Sequence, residues 1–206
     1  ASLDANTSGS NNVAIGQAAL TANTTASNNT AVGYNSLLTN DTGTRLTAVG
    51  GSSLAANTTG TDNTAIGLNA LHLNTTGSLN SAVGRNALYS NTTASNNTAQ
   101  GYYALFANTT GAYNVAVGAN ALDANTTGGT NVGIGYGAIG ADTLGHASVA
   151  VGHGTLTSQN FTSTTLVYNT AVGYQAGLSV TTGVQNTFVG GLAGDALTIG
   201  NSNVSV

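Results

Sequence analysis

Several residue types are missing from this sequence, and charge is nearly missing as well. It contains no cysteine, proline, methionine or tryptophan, and only 4% of its 206 residues are charged. Without cysteine there are neither disulfides nor thiolate metal ligands. Two basic and six acidic residues give a net charge of -4, which leaves no basic surface to neutralise phosphates or to dock on anionic lipid. We therefore expect no nucleic-acid partner.

Long hydrophobic runs are absent too. The apolar stretches are only a few residues long, far short of a membrane span, so we expect no insertion into a membrane. What the sequence does contain is Asn, Thr and Ser in abundance, 29 glycines, and a hydrophobic fraction of 40%. Neutral polar groups must therefore supply the solubility, while Ala, Val, Leu and Ile supply a thin core.

The sequence repeats every 17 residues. The glycine that ends each Ala-Val-Gly or related triplet recurs at this interval as Gly16, Gly33, Gly50, Gly67, Gly84, Gly101, Gly118, Gly135 and Gly152, and then, after four extra residues, as Gly173 and Gly190. A period this strict predicts identical stacked units. We predict regular repeats over 1–152 and, over 153–206, a continued array with the four-residue insertion and variant terminal coils. The insertion should bulge outward within 153–168.

Other positions of the repeat recur with the same period. Leucine or isoleucine stands four residues after the glycine at Leu20, Leu37, Leu54, Leu71, Leu88, Leu105, Leu122, Ile139 and Leu156. Asparagine stands four residues before the glycine at Asn12, Asn29, Asn63, Asn80, Asn97, Asn114, Asn131, Asn169 and Asn186. These positions predict a core ladder of leucines and a turn ladder of asparagines.

The residues of the repeat predict a strand followed by turns. Thr-Ala-Val-Gly is rich in β-branched residues and is bounded by Asn, Thr and Gly, whereas helix start signals are missing. Seventeen residues at about 3.3 Å each make a closed path of roughly 55 Å, enough for one flattened two- or three-sided coil. We predict an all-β fold, a single parallel β-solenoid of 17-residue coils, in which Val32 stacks on Val49.

Alternation along a strand divides each coil into an inner and an outer set of residues. Thr30 and Val32 share one side, and Ala31 and Gly33 share the other. We expect the Val/Ile set to fill the interior and the small Ala/Gly face to be flat, outward and buried between subunits. Because Pro and charges do not protect the strand edges, we expect self-association as a lateral homotrimer or an end-to-end filament. Lysine at Ala82 and Ala99 should dissociate a lateral trimer.

One known family shares these motifs. Asn-Thr-Ala-Val-Gly at 29–33 and Asn-Thr-Ala-Ile-Gly at 63–67 resemble the YadA-like head repeats of trimeric autotransporter adhesins, and Asn-Thr-Ala-Val-Gly-Tyr at 29–34 and 169–174 is similar to arrays in tail-fibre and surface-fibre proteins. The resemblance implies a left-handed parallel β-roll, often trimeric, that binds host or matrix surfaces and has no catalytic residues. Here the turn Asn-Thr-Thr-Gly is longer than in the adhesins, and we expect no neck or coiled-coil stalk within these 206 residues.

Two groups of residues could be interpreted as sites for chemistry. The glycines from Gly135 to Gly140 match a dinucleotide fingerprint, but no helix or later acidic residue accompanies them, so the local repeat explains them. His146, His153 and Asp142 lie near the irregular coil, yet no second carboxylate or nucleophile shares their phase. We therefore expect no catalytic, cofactor-binding or metal-binding residues, and a protein that is not an enzyme.

A second set of asparagines begins an Asn-x-Thr turn in coil after coil. This triplet is the acceptor for N-glycosylation, although a turn that needs Asn and Thr has the same letters. The candidate glycosylation sites in this phase are Asn23, Asn40, Asn57, Asn74, Asn91, Asn108 and Asn125, and further triplets begin at Asn28, Asn96, Asn160 and Asn203. A weakly charged secreted fibre would benefit from a glycan coat.

Two further ladders leave alternatives open. The interrupted threonine rank at 30, 47, 64, 98, 170 and 187 suggests an ice-binding β-solenoid, and the tyrosines after the glycine, Tyr34, Tyr102, Tyr136 and Tyr174, could form a binding stripe or shelter the backbone edge. We expect a structural repeat protein of an extracellular fibre or cell-surface adhesin. It should associate with itself and could bind glycans or a host or matrix surface. The alternatives are ice binding and a viral tail-fibre shaft module that binds host glycans.

Overall fold

The chain is a parallel β-solenoid, as its period predicts. A computed structural model describes all 206 residues and contains fourteen short strands and no helix, hence no helix of membrane-spanning length. The strands are β1 Val13–Ile15, β2 Thr30–Val32, β3 Thr47–Val49, β4 Thr64–Ile66, β5 Ser81–Val83, β6 Thr98–Gln100, β7 Val115–Val117, β8 Val132–Ile134, β9 Gly145–His146, β10 Val149–Val151, β11 Thr165–Leu166, β12 Thr170–Val172, β13 Thr187–Val189 and β14 Val204–Ser205. Twelve of them form one sheet, and β9 pairs with β11 in a second sheet.

Pairing in the large sheet follows the repeat. Each strand lies parallel to its copy one coil later, so that Val32 pairs with Val49 as predicted. Backbone hydrogen bonds also join successive coils between the strands, as from Thr58 N to Thr75 O at 2.9 Å. Because the bonds recur around the coil, each coil serves as the template for the next.

The four extra residues lie outside the large sheet. Strand β10 pairs with β12 across 21 residues, which keeps Val151 opposite Val172. The surplus residues bend outward at 162–164, where all three side chains are exposed, and the chain returns through β11, which pairs with Gly145–His146. The insertion thereby changes the outline of one coil and leaves the register of the sheet intact.

The inner and outer sides of the strands are the reverse of the prediction. The central alanine of each strand is buried, as at Ala31 and Ala82, whereas the flanking residues are half-buried or exposed. Ile66, for example, exposes 41% of its surface. The expectation that Val and Ile fill the interior was therefore wrong, and lysine at Ala82 or Ala99 would enter the core and unfold the coil.

The leucine ladder explains why only a methyl group fits inside the strand. A Cβ built on Gly133, which takes the place of the central alanine in β8, would lie 3.1 Å from Leu122 Cγ. The exception supports the rule: Phe188 is buried at the alanine position, and glycines replace leucine in the adjoining coils at Gly177 and Gly194. The interior of each coil thus has a fixed volume, which is filled by one large side chain, either at the leucine position or at the strand centre.

Each regular coil turns its corners through left-handed backbone conformations. Positive φ recurs two and four residues after the glycine, as at Asn35 and Leu37, and five residues before the next one, as at Arg45. Asn and Gly suit the first position, but leucine at φ of 49° is unusual for a bulky residue. The leucine side chain is fully buried there, so its packing offsets the backbone cost.

Candidate interaction surfaces

The asparagines of the Asn-x-Thr turns form a ladder inside the solenoid. The side-chain Nδ2 of each donates to Oδ1 of its counterpart one coil earlier, at 2.8 to 3.3 Å, from Asn23 through Asn125. All seven side chains in this run are fully buried. A buried amide is stable only when its hydrogen-bonding groups are paired, and the 17-residue period supplies the partners.

The second asparagine ladder meets the first at one carbonyl in each coil. Gly77 O accepts from Asn74 Nδ2 at 2.9 Å and from Asn63 Nδ2, one coil earlier, at 2.7 Å. The other amide atom of Asn63 accepts from the backbone of Asn80 at 2.9 Å. Since this carbonyl accepts two hydrogen bonds, the turn that follows the leucine encloses a fully paired polar core.

This placement does not suit glycosylation of the seven candidate asparagines. A glycan would replace a hydrogen of Nδ2, and Nδ2 of Asn57, for example, already donates both hydrogens, to Asn40 Oδ1 and to Gly60 O. The folded solenoid also has no room for a sugar at a fully buried atom. Of the remaining candidates, Asn28, Asn96 and Asn160 are exposed.

The asparagine ladder is broken at the irregular coil. Asp142 takes the next position after Asn125, and the Oδ1 atom of Asn125 is buried without a partner. The buried Asp142 carboxylate instead accepts from Gln159 Nε2 at 2.6 Å and from the backbone of Gly145 and Phe161 at 3.0 and 3.2 Å. A carboxylate has no hydrogen to donate, which explains the orphaned amide oxygen beside it.

The other residues considered for chemistry take part in separate contacts. His146 Nδ1 accepts from Gly129 N at 3.0 Å, whereas His153 stacks between two tyrosines. No three His, Asp or Glu side chains lie close enough to hold a metal ion, and no pocket opens in the surface. Residues 135–140 belong to strand β8's coil and its corner, and no helix follows them.

The outward side of the large sheet is an uncharged surface, which we call the strand face. It consists of the first and last residues of its strands, of which none is buried. The first rank contains Val13, Thr30, Thr47, Thr64, Ser81, Thr98, Val115, Val132, Val149, Thr170, Thr187 and Val204, and the last contains Ile15, Val32, Val49, Ile66, Val83, Gln100, Val117, Ile134, Val151, Val172 and Val189. The threonines therefore point outward, contrary to the expectation that they face the interior.

Sequence reasoning missed this surface because it assigned the larger side chains to the core. The sequence did contain an indication of this arrangement. Phe188 is the one large residue at a strand centre, where the other strands have alanine or glycine, and Gly177 and Gly194 replace leucine in the coils next to it. Compensating changes of volume indicate that the strand centre and the leucine share one interior.

The residue after each repeat glycine is exposed or half-exposed, and in several coils it is aromatic. We call this the tyrosine rank: Gln17, Tyr34, Gly51, Leu68, Arg85, Tyr102, Ala119, Tyr136, His153, Tyr174 and Gly191. Within it, His153 lies 5.2 Å from the Tyr136 ring and 5.4 Å from the Tyr174 ring, nearly parallel to both. Adjacent coils therefore hold rings at stacking distance.

A second threonine rank lies on the turn side, away from the strand face. One exposed threonine occurs in each of seven consecutive coils, at Thr25, Thr42, Thr59, Thr76, Thr93, Thr110 and Thr127. Unlike the threonines of the strand face, these are not interrupted by other residues.

Comparison of the chain with protein-family models, with curated protein sequences and with solved structures finds no match.

Proposed function

We propose that this β-solenoid is a structural module of an extracellular fibre or surface adhesin, in which copies associate laterally through the strand face. The observation that supports this proposal is the surface itself: it contains Val and Ile in nearly every coil, with no charged residue. Soluble monomers rarely leave so large an apolar surface uncovered.

The size of the strand face suits a second copy of the chain. Twelve strands about 4.8 Å apart, each of three residues, make a surface roughly 55 Å long and about 10 Å wide. Two such surfaces in contact would bury about 1,000 Å² in total, the lower limit for a specific interface. Since the residues that meet would be neutral, identical copies would face no charge repulsion.

Molecular mass in solution tests this proposal. Light scattering after size exclusion should give an oligomer for the natural chain, and the double variant Val49→Lys and Ile66→Lys should be monomeric because the lysines would bring like charges together. The matched control is Thr59→Lys with Thr76→Lys, which adds the same charge on the turn side and should leave the mass of the oligomer unchanged. A natural chain that stays monomeric at high concentration would refute lateral association.

Ice binding is the second candidate, because the turn-side threonines form an unbroken, evenly spaced rank. Regularly spaced threonines on a β-solenoid are the kind of surface that ice-binding proteins present. The same variants separate the two functions: Thr59→Lys with Thr76→Lys should abolish thermal hysteresis if this rank binds ice, while the strand-face variant should retain it. Absence of hysteresis in the natural chain would exclude this candidate.

A further inference from the structure

One position of the tyrosine rank lacks a ring although rings lie on both sides of it. Tyr102, Ala119 and Tyr136 occupy successive coils, which is shown by the backbone bonds from Asn120 N to Tyr102 O at 2.9 Å and from Gly137 N to Ala119 O at 3.1 Å. Tyr102 and Tyr136 expose 49% and 55% of their surfaces. Between them the chain supplies only the methyl group of an alanine.

The next interval along the same rank shows what fits in such a space. There too, two tyrosines lie two coils apart, Tyr136 and Tyr174, and the ring of His153 is stacked between them at 5.2 and 5.4 Å. Two coil spacings amount to about 9.6 Å, so a ring midway between Tyr102 and Tyr136 would be about 4.8 Å from each. The interval at Ala119 is thus wide enough for one ring from another molecule.

The outer faces of the two tyrosines are already covered. The Tyr136 face toward Tyr174 is stacked on His153, and the guanidinium of Arg85, one coil before Tyr102, lies 5.9 Å from the centre of the Tyr102 ring. Tyr103 packs against Tyr102 from within the same coil, with ring centres 4.4 Å apart. These contacts hold both tyrosines in place, so a ligand would meet preorganised rings.

We propose that the interval between Tyr102 and Tyr136 binds one pyranose ring of a neutral glycan. A pyranose offers C–H groups on its two faces, which suit aromatic rings, and hydroxyls around its rim. A hydrogen-bonding group for the rim is at hand in the Asn120 side chain, which follows Ala119 directly and forms no hydrogen bond within the chain. With a net charge of -4, the protein repels nucleotides and other anionic rings.

Saturation-transfer NMR on the full chain tests the site, with cellohexaose, xylohexaose and laminarihexaose as probes. At least one should receive saturation from tyrosine ring protons. Ala119→Tyr should weaken that binding at least tenfold, because the new ring completes the ladder, and it should not lower the unfolding temperature, since tyrosine already occupies this rank in four coils. Tyr136→Leu should weaken binding by about fivefold or more, the loss typical of one stacking partner.

The matched control is Tyr174→Ala, which removes a tyrosine of the same rank and leaves both walls of the proposed site; its affinity should equal that of the natural chain. The proposal is overturned if none of the three glycans binds, or if Ala119→Tyr binds as well as the natural chain. It is also overturned if Ala119→Tyr changes only the mass of the oligomer, since the ring between the tyrosines would then come from another copy.

Discussion

Replacement of Asn74 by alanine should show how much the buried asparagine ladder contributes to stability. In the structure Asn74 donates to Asn57 Oδ1 and to Gly77 O, both at 2.9 Å, and accepts from Asn91 Nδ2 at 2.8 Å. Gly77 O would keep its bond from Asn63. Asn57 Oδ1 would lose its only partner, and Asn91 Nδ2 would keep one of two.

The expected cost follows from these two groups. A buried donor or acceptor that loses its partner costs about 1 to 3 kcal/mol, so Asn74→Ala should lower the free energy of unfolding by about 2 to 6 kcal/mol. Asn74→Asp keeps the shape but removes both donors and buries a charge, for which the site offers one donor only. It should be the more damaging change, in contrast to Asp142, which has three donors.

Urea unfolding followed by far-ultraviolet circular dichroism measures both variants. The matched control is Thr76→Ala, an exposed position in the same turn, which should stay within about 0.5 kcal/mol of the natural chain. Asn74→Ala with a stability equal to that of Thr76→Ala would show that the ladder is held by its backbone bonds alone, and the reasoning from side-chain pairing would fail.

Three further changes test the interior and the irregular coil. Phe188→Ala alone should lower the free energy of unfolding by about 3 to 5 kcal/mol. Adding Gly194→Leu should recover part of this loss, because the leucine refills the space. If the two substitutions had independent effects in a double-mutant cycle, the two positions would not share one interior. Asp142→Asn should lower the urea midpoint, because its new amide NH2 would face Gln159 Nε2, which donates to the carboxylate in the natural chain. Burial raises the pKa of the Asp123 carboxyl above its ordinary value of 3.8. The folded state therefore loses stability as the pH rises from 3.8 through the pKa of the folded chain. Asp123→Asn should be the more stable chain at pH 7, by a small margin that vanishes in acid.

Much of the fold was accessible from the repeat alone. The 17-residue spacing of the glycines predicted a parallel solenoid and the stacking of Val32 on Val49, and the repeated asparagines predicted turn ladders. Identical residues one period apart can meet only if each coil lies on the previous one, so period and pairing follow directly from the sequence. The left-handed sense of the coil, inferred from the resemblance to adhesin heads, stays a prediction.

The sequence by itself determined the period, the strands and the lack of charge, but only the tertiary structure decided which side of each strand faces inward. Alternation separates Ala31 from Thr30 and Val32 without saying which set is buried. The choice depends on the opposite wall, where leucines in left-handed corners fill the interior and leave room for a methyl group alone. The same long-range packing buried the asparagines proposed to carry glycans and turned Val and Ile out to the strand face. The sequence determines the position of a residue within the coil, whereas the space left by the residues across the coil determines whether that position is buried or exposed.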